Sequence, residues 1–282
     1  MRCCVVTLVG LLMVLGVGRA AWAEGFFKTK VGELEVVCVQ DSAGQFENAT
    51  FKADAELLQK LAPSGKTPNS CSVFVVRNSM HTVVIDAGMN KKMVENLKSA
   101  GLNPAMVDAV LITHSHGDHV GGLLGTDGKP TFPNAKLWID PAEQAFWKVS
   151  NTPQYEKVVK AYGEPQVIVA DEKAEVAMPE IKAVAMPGHT PGHVGFLITS
   201  KDVGVKKLFV AGDVLHSGAI QFSNPEICAR FDRDPPKAIE TRRAILKRAA
   251  EEGWRFAAVH LPFPSVGKVM KEGEGFKFEL EK

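Results

Sequence analysis

The stretch Leu111–Gly122, LITHSHGDHVGG, sets His114, His116, Asp118 and His119 within six residues. The segment before it, VDAVLIT (Val107–Thr113), is apolar and β-branched and reads as a buried strand, so the cluster begins where a strand ends. Protonated imidazoles side by side repel one another, and a solvated loop has no need of such crowding; a shared cation would relieve it. The pattern recurs downstream: His189 follows AVAMPG, Asp213 follows LFVAG and His260 follows RFAAV. Strand ends are where a rigid scaffold can bring side chains to one point. Five imidazoles and two carboxylates exceed the four ligands of one tetrahedral site but suit two adjacent ions. Nitrogen and carboxylate donors without thiolate favour two divalent zinc ions, with manganese, cobalt or iron as alternatives.

Outward from this loop, CSVFVVRNSMHTVVIDAG reads as a hairpin and NKKMVENLKSAG as a helix with Asn90 as N-cap and Gly101 as its stop. KVGELEVVCVQDS reads as strands and ADAELLQKLAP as a short helix. The second half repeats this grammar. AKLWID, PQVIVA, IKAVAMPG, HVGFLITS and KKLFVAGD read as strands, PAEQAFWKV and NTPQYEKVVKAYG as helices, and WRFAAVHLPFP as a last strand ending at His260. DPPKAIETRRAILKRAAEEG is the clearest helix: Asp234 caps it, Gly253 ends it, and Ala238, Ile239, Arg242, Ile245, Leu246 and Ala249 share one stripe. Strand-rich halves, each followed by helices, predict an α/β fold of two mixed sheets face to face with helices outside, an αββα sandwich.

The chain has 282 residues, 45% hydrophobic and 23% charged, which is enough for one sizeable core. Its start differs: Arg2, an apolar run and Ala21-x-Ala23 read as a secretory signal cleaved after Ala23, leaving residues 24–282 as a single catalytic domain, periplasmic or secreted. The run is short for a membrane span of about 20 residues. Without Arg2 and Arg19 there remain 31 basic and 32 acidic side chains, a balance that gives no reason to expect nucleic acid as partner. Cys38, Cys71 and Cys228 are too few for a disulfide framework, although one bridge is open to them. Nothing fixes the oligomeric state; a homodimer is one option.

His114-Ser-His116-Gly-Asp118-His119 with Gly121-Gly122, then GHTPGH, AGD and a late His260, resembles the metallo-β-lactamase superfamily. FPNAKLWIDPAEQAFW and the segment around GDVLHSGAIQF look most like its methyl parathion hydrolase branch, with the N-acyl homoserine lactonases as neighbours. The resemblance implies that His114, His116 and His189 hold one metal, that Asp118, His119 and His260 hold the second, and that Asp213 bridges them. It implies that Asp86 orients a ligand histidine. It implies a metal-bridging hydroxide as nucleophile, with Asp118 as ligand or proton shuttle.

His216 is a departure. The lactonases place a tyrosine there and the methyl parathion hydrolase branch an aliphatic residue. A histidine could donate to a developing oxyanion or protonate a leaving group, or be a solvated loop residue. His193 reads as a satisfied structural histidine, His81 as a surface residue, and Thr113 and Thr190 as turn-fixing. Gly117, Gly121 and Gly122 would let the loop wrap tightly. Phe146, Trp147, Phe222 and Phe263 are candidates to line a pocket for an apolar acyl or aryl group of a small-molecule substrate, or are core.

The reaction expected is hydrolysis of an ester, lactone or phosphotriester. A β-lactamase would lack an aspartate at the bridging position, an RNase Z-like nuclease fits neither the charge nor the export signal, and a flavodiiron protein would carry Glu in place of His116. Two alternatives stand: a glyoxalase II-type thioesterase, whose glutathione-binding part is not matched here, and a non-enzymatic metal-binding protein.

Overall fold

The computed structural model describes residues 25–200 and 207–281; the signal-peptide reading of residues 1–23 lies outside them. In chain order the strands are β1 (Phe26–Val31), β2 (Leu34–Glu47), β3 (Phe51–Lys52), β4 (Lys66–Arg77), β5 (Thr82–Ile85), β6 (Ala109–Leu111), β7 (Lys136–Ile139) and β8 (Gln166–Val167). They continue as β9 (Ile181–Ala185), β10 (Val194–Thr199), β11 (Lys207–Val210), β12 (Cys228–Ala229), β13 (Arg255–Ala257), β14 (Val266–Glu272) and β15 (Gly275–Leu280). The helices are α1 (Ala55–Leu61), α2 (Met93–Ser99), α3 (Gly117–Val120), α4 (Pro141–Ser150), α5 (Thr152–Tyr162), α6 (Gly218–Gln221) and α7 (Pro235–Glu251).

Two mixed sheets carry the fold, ordered β1-β2-β4-β5-β6-β7-β8 and β15-β14-β13-β11-β10-β9, with β12 and β3 as a small separate pair. The period of two along a strand sorts the apolar side chains between layers. In β4, Phe74 and Val76 join the core between the sheets, while Val73 and Val75 face the layer of Met93, Leu97, Trp147 and Tyr155 from α2, α4 and α5. In the second sheet, Phe196 and Val210 face inward, while Leu197 and Phe209 pack with Ile245 and Leu246 of α7. Strands buried on both faces therefore read as continuous apolar runs, and the αββα sandwich expected from the sequence is the fold observed. No helix among the described residues is long and apolar enough to cross a membrane.

Strand direction positions the site. β11 and β13 are parallel, and β9 and β11 each run antiparallel to β10, so all three deliver their C-terminal ends to one edge. His189, Asp213 and His260 follow those ends, and β6 delivers the His114 loop from the facing sheet.

Several local expectations need correction. Asn90 does not cap α2: it sits at φ 56, and the N-cap is Lys92, which makes no side-chain bond. The cap comes from Asp41, fully buried in β2, whose carboxylate accepts from the backbone N–H of Met89, Lys91, Lys92 and Met93 at 2.7–3.1 Å. The β2–β4 register shifts between Gln40 and Ser42, and this bulge turns Asp41 inward. The strand expected over Val107–Thr113 spans Ala109–Leu111; beyond its end the Thr113 N–H goes to Asp86 rather than to a neighbouring strand. His260 does not end the last strand; the β14–β15 hairpin follows it. Cys38, Cys71 and Cys228 are buried and free.

Candidate metal centre

Three ring nitrogens meet beyond the end of β6. His114 Nε2, His116 Nδ1 and His189 Nε2 lie 2.9–3.2 Å apart. The His189 Nδ1–H donates to Asp232 Oδ1 (3.0 Å), so its Nε2 presents a lone pair. Thr113 Oγ1 donates to Asp86 Oδ2 (2.8 Å) and so accepts from His114 Nδ1 (3.2 Å), which leaves His114 Nε2 a lone pair as well. Two buried lone pairs facing each other make no hydrogen bond. A cation between them does fit: a tetrahedral ion with bonds of about 2.0–2.1 Å separates its nitrogen ligands by roughly 3.3 Å.

A second set adjoins the first. Asp118, His119 and His260 have donor atoms within 4.8 Å of one another. His119 Nε2 and Asp213 Oδ1, 3.2 Å apart, are both buried without a hydrogen-bond partner. Asp213 Oδ2 lies 3.1 Å from His260 Nε2, 3.5 Å from His189 Nε2 and 3.7 Å from His114 Nε2, so this carboxylate stands between the two sets. Seven residues from four separate segments are thus brought together, and both sets of donors fit divalent ions of nitrogen and oxygen preference.

Most of the imidazoles are held from behind; among the described residues no such contact is seen for His116. Asp86, at φ 61, accepts from His119 Nδ1 (2.7 Å) and from the Thr113 N–H and Oγ1 (each 2.8 Å). His260 Nδ1 donates to the Ser70 carbonyl at 3.0 Å. His193 is satisfied as expected: Nδ1 donates to the Met186 carbonyl and Nε2 accepts from the Asp213 N–H. Two carboxylates were not singled out in the sequence. Asp232 orients His189 and is itself bonded by Arg242 at 3.0 Å, with both side chains fully buried. Glu143, also fully buried, accepts from the Ser115 N–H and Oγ, from Thr190 Oγ1 and from the Gly192 N–H, which ties the two histidine loops together. Thr113 therefore fixes its turn through Asp86, and Thr190 through Glu143. Of the loop glycines, Gly122 is the constrained one, because a Cβ there would collide with the Ala87 carbonyl; at Gly117 a Cβ meets nothing.

The charge states differ between the two sets in the metal-free protein. Burial and neighbouring histidines hold His114 well below its ordinary value, and burial brings His116 and His189 to about 4. Burial also opposes the charged form of His260, but Asp213 and Asp118 outweigh it and raise the group to about 10. The same acids, with Asp86, hold His119 well above its ordinary value. Burial raises Asp118 and Asp213, but the facing histidines outweigh it and keep both ionised.

A cavity of about 470 Å³ opens above Asp118 and Asp213. His216 is in its wall, 1% exposed, with Nε2 3.4 Å from Asp213 Oδ2 and its ring stacked on His260 at 5.3 Å; it is not a solvated loop residue. The aromatic wall is Phe46 and Phe231. Trp147 belongs to the core under α4, Phe222 stacks on Phe278, and Phe263 packs on the inter-sheet core, so none of the three lines the cavity. Phe146 reaches it only through Arg233, whose guanidinium lies over its ring at 5.5 Å. His81 is partly buried at the hairpin turn.

Residues 67–260 match the sequence profile described as Metallo-beta-lactamase superfamily, from the start of β4 to the last of the histidines. The chain belongs to this superfamily. Among solved structures, it is similar in fold to AidC, described as a dizinc quorum-quenching lactonase in complex with a homoserine product. That fold likeness has a TM-score of 0.83 at 24% identity over 92% of this chain and 98% of that one. The hydrolase AbOPH of the beta lactamase superfamily matches with a TM-score of 0.80 at 26% identity, over 92% and 99% of the two chains. Among curated relatives, the hydroxyacylglutathione hydrolase of Vibrio campbellii is 28% identical over 185 residues, 65% of this chain and 59% of the relative. That of Photobacterium profundum is 31% identical over 150 residues, 53% and 48% of the two. The match thus spans less than two thirds of these curated relatives.

Proposed function

We propose that this chain is a dinuclear metal-dependent hydrolase of esters, lactones or phosphotriesters, made as a precursor, exported, and active as one domain over residues 24–282. The observation that carries the reading is the pair of buried lone pairs on His114 and His189, 3.2 Å apart, beside an unpartnered His119 Nε2 and Asp213 Oδ1. A purely structural cluster would have satisfied those atoms with hydrogen bonds.

In this reading His114, His116 and His189 hold one ion, Asp118, His119 and His260 the other, and Asp213 reaches both. Zinc suits the donors best. When bound, two such ions supply Lewis-acid polarisation of the substrate oxygen and a water that is acidic near neutral pH. The chain does the rest. Asp86, Asp232 and the Ser70 carbonyl fix the tautomers of His119, His189 and His260. Asp118, about one third exposed at the wet edge and held ionised, can accept a proton and pass it to solvent or leaving group. His216 donates towards charge that develops on the substrate oxygen. Phe46 and Phe231 take an apolar acyl or aryl group.

Lactone or ester substrates are supported by the fold shared with AidC, described as a lactonase. Thioester substrates are the second reading, supported by the relatives named hydroxyacylglutathione hydrolase. The test is a panel of aryl esters, acyl lactones, acyl thioesters and aryl phosphotriesters, assayed before chelation, after it and after zinc is returned. Turnover of at least one class that is lost and restored with metal is expected. Full metal loading without turnover of any class would leave a metal-binding protein instead.

A further inference from the structure

The mouth of the cavity is built by a short segment, residues 230–233. Arg230, Phe231 and Arg233 line the cavity, while Asp232 between them turns inward to His189 and Arg242. The backbone on either side of Phe231 is pinned. The Arg230 N–H donates to the Thr50 carbonyl (2.9 Å), the Asp232 N–H to Ala229 (3.2 Å), the Arg233 N–H to His189 (3.2 Å) and the Asp234 N–H to Gly188 (2.9 Å). Behind it the buried Asp232–Arg242 pair fixes the turn, and the Arg233 guanidinium rests on the Phe146 ring.

Neither mouth arginine pairs with a carboxylate among the described residues, although most other arginines in the fold do: Arg77, Arg242, Arg243, Arg248 and Arg255 each meet an acid. Phe231 stands between them, 45% exposed and 6.1 Å from Phe46. Two unneutralised guanidiniums on a rigid rim, above an aromatic wall, fit a ligand with an apolar middle and an anionic end.

We propose that Arg230 and Arg233 form an anion subsite, so that the preferred substrate is an acyl compound carrying a carboxylate or similar anion beyond the apolar segment that packs on Phe231 and Phe46. The turnover part of this proposal rests on the hydrolase reading; the binding part does not. A neutral phosphotriester or simple alkyl lactone would leave both guanidiniums unused.

The zinc-loaded enzyme is assayed on 4-nitrophenyl hydrogen glutarate and on 4-nitrophenyl pentanoate, which differ by a carboxylate in place of a methyl. We expect kcat/KM to favour the anionic ester by about tenfold at low salt, as two exposed charge-assisted contacts would give. The preference should fade near 1 M salt, where the screening length is about 3 Å. In the double variant Arg230→Gln/Arg233→Gln the ratio should fall towards one. In Arg243→Gln/Lys247→Gln, which removes the same charge from the outer face of α7, it should persist. Equal rates on the two esters, or a preference that survives the loss of Arg230 and Arg233, would overturn the proposal. If neither ester is cleaved, calorimetry with glutaranilic acid and its neutral counterpart, pentananilide, separates the two claims. Arginine-dependent binding of the acid alone keeps the subsite and counts only against cleavage of such esters, the hydrolase reading being decided by the full substrate panel; binding that ignores the arginines, or no binding of the acid, sinks the subsite.

Discussion

Asp213 is the residue on which both halves of the centre depend, since its two oxygens face His119 on one side and His260, His189 and His114 on the other. Asp213→Ala should lose at least one metal per chain and nearly all turnover, read by elemental analysis and assay of the same preparation. His216 makes a different prediction. It lines the cavity and is not one of the seven expected ligands, although its Nε2 groups with Asp213 and His260, so metal content is the deciding readout: His216→Phe should lower kcat by roughly 10²–10³-fold, as loss of an oxyanion donor does, with metal content retained, whereas loss of metal would make it a ligand. An undiminished kcat would leave His216 as a wall residue only. The seven candidate ligands were legible because each follows an apolar run, and such residue types have no other business at so many strand ends. Asp232 and Glu143 were not legible. Nothing near them in sequence marks them, and their partners lie 43 residues away at His189 and 28 residues away at Ser115. The only available signal was weak: an acid within FDRDPP, and one on the apolar side of α4.

At the scale of elements, α7 does more than cover the second sheet. Arg242 sits on its apolar stripe, fully buried, and donates to the carbonyls of Val214, Pro225 and Ile227 as well as to Asp232. It therefore ties the helix to the loop that carries Asp213 and to the acid behind His189. Arg242→Met should cost about 3–5 kcal/mol in denaturant unfolding, because Asp232 loses its balancing charge and the Val214 and Pro225 carbonyls lose the guanidinium donor in a dry place. Zinc affinity should fall about 10–100-fold through the loosened His189. A variant with unchanged affinity would disconnect the helix from the centre. The periodicity of α7 announced the helix but could not say why an arginine lies on the stripe. The Asp41 cap of α2 was hidden for a similar reason: it depends on a bulge in β2, and sequence distance conceals a cap supplied by another element. The β14–β15 hairpin was missed because charged residues interrupt its alternation, as at Lys268, Lys271 and Glu272.

For the molecule as a whole, the αββα layering was readable from strands apolar on both faces, and the meeting of the two sheets at one edge follows from β9, β11 and β13 sharing a direction. The folded but metal-free chain carries opposed charge preferences, and these set its stability against pH. His116 and His189 fold with values near 4 against an ordinary 6.5, so between those values the unfolded chain binds more protons and stability rises with pH. His260 folds at about 10, so its contribution is full below 6.5 and is lost as pH rises towards 10. Chelated protein should therefore be most stable near pH 6.5, with unfolding midpoints in urea falling on both sides. A midpoint that climbs steadily from pH 6.5 to 10 would contradict the assigned charge states. Metal binding should release protons from His119 and His260 but not from His116 and His189, so the second ion should bind more tightly as pH rises from 6 to 9 while the first changes little. The central claim is that the facing nitrogens and the shared carboxylate exist to hold two ions. Its most direct test is elemental analysis of the zinc-saturated, gel-filtered protein: the account predicts two zinc ions per chain, and saturation at one or none would contradict it.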